Sequence, residues 1–204
     1  YDFSSFNFDF KNERILNFNQ LINVYPIEKI SFDDYNPLDK TAHKSKFYFE
    51  KNHIILTLDY DNKATRAFEL NLENLELTEK IFEQATVEGV NKIANSFYQD
   101  GKLYQVTATQ SEIILGVKDF VSREILKNTS ILKEDDTGID SAPMFIQRDS
   151  RRPKEIKKPK SFLRQLNSLD IALSVFMNSQ NTRVALGGVP RIYNDRGRML
   201  SSMV

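Results

Sequence analysis

The stretch FYFEKNHIILTLDYDNKATRAFELNLENLELTEKIF, residues 47–82, decides the reading of the fold, because its pattern returns in FYQDGKLYQVTATQSEIILGVKDFVSREILKNTSI, residues 97–131. Each copy holds an aromatic pair, a polar turn (Lys51-Asn52 or Asp100-Gly101), an apolar strand, a polar gap, a second strand, a turn and a third apolar stretch. Matching Asn52 with Gly101 gives an offset of 49 residues, and matching Leu72 with Val117 gives 45. A period in the forties is the spacing of propeller-type blades, which run at about 40 to 50 residues per four-stranded unit. The expected fold is mainly β, built of antiparallel blade repeats and β-propeller-like. At that period 204 residues hold roughly four blades, the lower limit of a closed ring. An incomplete ring would leave strand edges for a partner to cover.

Within the first copy, residues 53–58 are a nearly continuous apolar run, expected to be buried on both faces, while 67–72 alternates and should keep one wet face. Asp61-Asn62 supplies the hairpin turn between them. In the second copy the strands fall at 103–108, 113–117 and 124–128, and residues 85–95 read as a linker ending in Asn95-Ser96. Before the repeats, residues 1–10 carry aromatics at nearly every second position, 14–24 reads as a strand or a short helix, and Pro26 and Pro37 break the chain. After them the composition changes. Residues 133–160 are a charged linker, Ser161 caps a helix expected over 162–169, and 171–186 forms a hairpin around Asn178 to Asn181 that stops at Gly187-Gly188. The organisation is therefore an N-terminal strand and turn segment (1–44), two blade-like units (45–132), the linker (133–160), and a helix, hairpin and polar tail (161–204).

Charge and composition narrow the function. The 28 Lys and Arg balance 28 Asp and Glu, so no overall field favours nucleic acid or an acidic membrane. With no Cys, disulfides, thiolate catalysis and cysteine-metal sites are excluded for these residues. No run of about 18 apolar residues offers a membrane span. The chain opens without Met and in mid-pattern, which reads as a processed or partial start.

The one concentrated charge feature lies at 148–160, where Arg148, Arg151, Arg152, Lys154, Lys157, Lys158 and Lys160 face only Asp149 and Glu155. Its plain reading is a solvated loop. Its functional reading is a partner-binding surface for phosphates, lipid headgroups or an acidic protein. Without interleaved aromatics it is no platform for single-stranded nucleic acid. His43 and His53 lack metal-ligand spacing and read as structural. Asp59, Asp61 and Asn62 resemble part of a calcium loop but lack its central Gly and terminal Glu, so a hairpin turn is the expectation. Gly187-Gly188 has no phosphate-loop context, and Ser111 and Ser174 sit in no nucleophile elbow. No catalytic, cofactor or metal residue is assigned, and the chain is expected not to be an enzyme.

The segments NSFYQDGKLYQVTATQSEIILGVKDFVSREILKN (95–128) and SLDIALSVFMNSQNTRVALGGV (168–189) resemble blades and hairpins of β-propeller-like envelope proteins from Gram-negative bacteria that secrete through the type 9 pathway. That group includes soluble accessory subunits of the outer-membrane translocon, among them the periplasmic plug of its pore. The resemblance covers about residues 45–190 and rests on generic strand and turn patterns, without the WD dipeptide or the Gly-Gly of kelch blades. It implies a non-catalytic interaction protein, periplasmic or outer-membrane associated, with a large barrel partner and no cofactor. The alternative is a propeller-type hydrolase, with Asp33, Asp34, Asp59 and Asp61 converging on a centre, or a carbohydrate-binding envelope protein.

Overall fold

The computed structural model describes residues 1–10, 14–87, 92–135, 143–146, 152–178 and 180–190. In chain order the elements are β1 (Asn7–Phe10), β2 (Arg14–Asn17), α1 (Phe18–Val24), β3 (Ile27–Ile30), α2 (Leu38–Thr41), β4 (Ser45–Glu50), β5 (His53–Asp61), β6 (Ala64–Asn71), β7 (Leu77–Glu83), β8 (Ile93–Gln99), β9 (Lys102–Ala108), β10 (Glu112–Asp119), β11 (Ile125–Leu132), β12 (Met144–Ile146), β13 (Lys154–Ile156), α3 (Pro159–Leu166), β14 (Asp170–Met177) and β15 (Thr182–Val189). The fold is mainly β, as the sequence predicts, with 55% of the described residues in strands and 11% in helices. Two sheets dominate it. One is five-stranded in the order β3-β4-β5-β6-β7, with β3 parallel to β4; the other is the four-stranded meander β8-β9-β10-β11. Hairpins β1-β2, β12-β13 and β14-β15 complete it, and no closed barrel or propeller ring is formed among the described residues.

Turn chemistry explains the two meanders. Asp100 and Gly101 both have positive φ, as a two-residue type I′ hairpin requires. Lys51 takes the matching left-handed conformation in the hairpin between β4 and β5. Leu75 and Arg123, in the connections before β7 and β11, are left-handed too. These left-handed residues lie 49 apart at the first turn of the two meanders and 48 apart at the last, whereas the pair matched at an offset of 45 does not fall at like places. Leu72 follows β6, whereas Val117 lies inside β10 opposite Tyr104.

The run in β5 is buried from Ile55 to Asp59 because its sheet is covered on both sides. Alternate residues go to opposite faces. Ile55 joins the core shared with Tyr48, Phe82, Phe97, Tyr98, Val106, Phe120, Leu163 and Ile171. Leu56 and Leu58 join the second core, where Phe8, Leu16 and Leu21 of the N-terminal hairpin and α1 cover Phe68 and Leu70. Arg66 clamps that cover by donating to the Asn7 carbonyl at 2.7 Å, with its guanidinium 4.2 Å from the centre of the Phe8 ring. Residues 14–24 are both strand and helix: Asn17 ends β2 and caps α1 by accepting the Gln20 N–H, while the Gln20 side chain accepts the Asn17 N–H.

Four further expectations are corrected. Asn95-Ser96 is no linker but the buried middle of β8. Helix α3 starts at Pro159, which its fixed φ suits to the first helical position, so Lys158 rather than Ser161 is the N-cap. The charged linker contains the hairpin β12-β13. The pair Gly187-Gly188 does not stop the last strand: β15 continues through it, opposite Ala172 and Ile171. The absent side chains there make room for neighbours, since a Cβ on Gly188 would lie 2.8 Å from both Leu166 Cδ1 and Leu169 Cβ. The polar tail beyond residue 190 lies outside the described residues.

Because Leu169 Cβ cannot swing aside, Gly188→Ala is expected to lower stability by about 1 to 3 kcal/mol through overpacking. An unchanged midpoint in chemical denaturation would show that α3 and its following turn are not packed on β15 as described.

Candidate functional site

Part of the basic run, within residues 152–158, lines a cleft. Arg152 before β13, Lys154 in it, and Lys157 and Lys158 in the connection to α3 lie along a cleft of about 590 Å³, whose apolar lining is Ile146 and Ile156. Glu155 is the one carboxylate among the lining residues, and Ser161 and Gln165 add neutral polar groups. Lys160 is exposed on the first turn of α3 but does not line the cleft; Arg148 and Arg151 lie outside the described residues. The four lining cations make no side-chain hydrogen bond or ion pair to any described residue, and the first turn of α3 has no acidic residue to offset its positive dipole end. Such an arrangement attracts anions or carboxylate-bearing surface.

A second feature, which the sequence reading missed, lies between the two large sheets. Lys46 of β4 is fully buried and Asp59 of β5 is 1% exposed, with Nζ 3.1 Å from Oδ2. Three acceptors surround the Lys46 Nζ: Asp59 Oδ2, Asn95 Oδ1 at 2.6 Å and the His43 carbonyl at 2.6 Å. Asp59 in turn accepts from the Thr65 hydroxyl at 2.7 Å, the Ser96 N–H at 3.0 Å and the Ser96 hydroxyl at 2.8 Å. Asn95 Nδ2 donates to the carbonyls of Thr41, Ala42 and Ile171, which fixes its carboxamide between α2, β8 and β14. Gln84, Gln105 and Thr107 extend the network through the Thr65 hydroxyl. Burial pushes the Lys46 ammonium well below its ordinary range, and the attraction of Asp59 opposes that shift.

A weak signal for this cluster exists in the sequence. Lys46 stands two residues before the inward Tyr48, and Asp59 falls two after Thr57 in a buried run, so a period of two aims them at one side. Read as a linker, Asn95-Ser96 hid the partner.

The carboxylates of the hydrolase reading are not assembled. Asp33 and Asp34 are exposed in the connection between β3 and α2, Asp59 is spent in the network, and Asp61 accepts the Lys63 N–H as a turn cap. His53 pairs with Glu69 at 2.6 Å, which Lys80 also contacts, and is structural. Among the described residues no three His, Asp or Glu are grouped to hold a metal.

No protein-family model, curated protein or solved structure matches the chain.

Removing one member of a buried ion pair strands the other. Asp59→Ala is expected to cost about 3 to 5 kcal/mol, whereas the double change Lys46→Met with Asp59→Leu should recover much of the loss. Urea denaturation of the three proteins checks this; equal losses for the single and double variants would contradict a shared electrostatic role.

Proposed function

We propose that this chain is a non-catalytic interaction module that docks on a large partner and presents the cleft of Arg152, Lys154, Lys157 and Lys158 to acidic surface on it. The observation that carries the reading is the set of four cations that line a cleft beside Ile146 and Ile156 and make no side-chain hydrogen bond or ion pair to any described residue. Interfaces use charge in this way to steer and select a partner, while apolar lining supplies contact area.

Exposed edge structure supports the same reading. Strand β11 ends its sheet and is exposed along nearly all its length, including Ile125, Leu126 and Leu132. A bare apolar edge is a liability that a partner removes by covering it. The matched left-handed turns support treating the two meanders as related blades, which place their connecting loops together at the ends of the strands. The bacterial envelope as location, a type 9 translocon barrel as partner and the plugging of its pore as role rest on the resemblance of residues 95–128 and 168–189. No helix among the described residues is long and apolar enough to cross a membrane, which is compatible with docking on a membrane-embedded partner.

The test is capture from an envelope fraction with tagged protein, comparing the native chain with a Lys154→Glu, Lys157→Glu, Lys158→Glu variant. At up to about 1 kcal/mol per exposed pair, the triple reversal is expected to weaken the complex on the order of tenfold or more, and added salt should weaken the native complex in the same direction. Recovery of one large partner, insensitive to both changes, would remove the cleft from the interface; recovery of no partner would defeat the docking role.

A further inference from the structure

Lys46, Asp59 and Asn95 are arranged as the reactants of an amide-forming reaction. The amine of Lys46 lies 2.6 Å from the carboxamide oxygen of Asn95 and 3.1 Å from an Asp59 oxygen, with all three side chains in the interior. The Ser96 N–H donates to the same carboxamide oxygen at 2.8 Å, the place where negative charge would collect on attack at Cγ. Three backbone carbonyls hold the Asn95 Nδ2, so the carboxamide cannot turn away. We propose that this cluster is a self-modification site, at which Lys46 Nζ and Asn95 Cγ join in an intramolecular isopeptide bond with Asp59 taking the Lys46 proton.

The steps balance without any co-reactant. The Lys46 ammonium first gives a proton to Asp59, which leaves a neutral amine beside a carboxylic acid. The amine lone pair then forms the Nζ–Cγ bond, and the π pair of Cγ–Oδ1 moves onto Oδ1 under the Ser96 N–H. In the tetrahedral intermediate Nζ and Nδ2 sit on the same carbon, and the extra proton on Nζ passes to Nδ2; the Cγ–Nδ2 bond breaks with its electron pair on nitrogen, and ammonia leaves. The carbonyl re-forms, and Asp59, which keeps the proton it took from Lys46, ends as the neutral acid. Burial favours each state that lacks charge: it lowers the proton affinity of Lys46, and the product replaces a desolvated ion pair by an amide and an acid. Proximity replaces the activation that amide aminolysis otherwise needs, because the reacting groups are held in contact by the fold.

The bond would tie β4 of the five-stranded sheet to β8 of the four-stranded one, closing the chain between residues 46 and 95. In a chain with no Cys this is a covalent brace that no reductant can open. The brace is independent of the docking role proposed above.

Intact mass spectrometry of the purified, unfolded protein tests the proposal, with peptide mapping to place any change. The expected mass is lower than that of the sequence by one ammonia, about 17 Da, since amine attack on an amide expels it. Mapping should yield a single branched peptide joining the segments that contain Lys46 and Asn95. Lys46→Met and Asp59→Asn should each return to full sequence mass. Native protein at full sequence mass after prolonged folded incubation, with Lys46 and Asn95 in separate unmodified peptides, would overturn the proposal whether or not the variants fold. An ammonia loss mapped to any other residue would overturn it equally.

Discussion

The polar contact at the centre of the two large sheets is a buried ion pair that has to be satisfied. Lys46 and Asp59 sit where water is absent, and leaving either without partners would cost several kcal/mol. The donors and acceptors that meet this need come from separate parts of the chain: the His43 carbonyl before β4, Thr65 of β6, and Asn95 and Ser96 of β8. An apolar interface tolerates sliding, since one methyl group is much like another. A polar cluster with directional bonds does not, so it selects one alignment of the two sheets. Before any Lys46–Asn95 bond forms, Asn95 carries that alignment outward, since its amide nitrogen also binds the Ile171 carbonyl of β14 and the end of α2.

The surrounding cores then supply most of the burial energy. Ring contacts among Tyr48, Phe97, Tyr98, Phe120 and Phe82 fill the space beside the cluster, and the N-terminal hairpin with α1 closes the far face of the five-stranded sheet. Because both faces of that sheet are covered, its free surface is limited to edges and connections. The basic cleft at β13 and α3 and the bare strand β11 lie away from the buried cluster in chemistry as well as in sequence. The residues that hold the sheets together and those proposed to meet a partner are thus different.

Local chemistry made part of this legible. Asp100-Gly101 announces a hairpin because few other pairs accept two positive φ values, whereas the single wet face read from the alternation in 67–72 is corrected, since Ala67 and Phe68 are buried in cores on opposite faces of the sheet. Long-range choices left no such mark. The parallel pairing of β3 with β4 depends on Ile27 to Ile30 meeting Ser45 to Tyr48 across the break at Pro37, which no local rule encodes. Gly187-Gly188 reads as a stop by composition, yet the strand persists because Leu38, Leu166 and Leu169 need the space. Lys46, Asp59 and Asn95 were hidden for a related reason. A polar residue in a strand is normally on the wet face, and only the other sheet reveals that these three meet in the interior.

The most direct test of the organising role given to this cluster is native-state hydrogen exchange at the Ser96 amide, whose proton is shared by Asp59 Oδ2 and Asn95 Oδ1. If the cluster locks the sheets together, that amide exchanges only by global unfolding, with an opening free energy equal to the stability from denaturation. Exchange at Ser96 through a local opening well below the global value would contradict the account and move the organising role to the aromatic core.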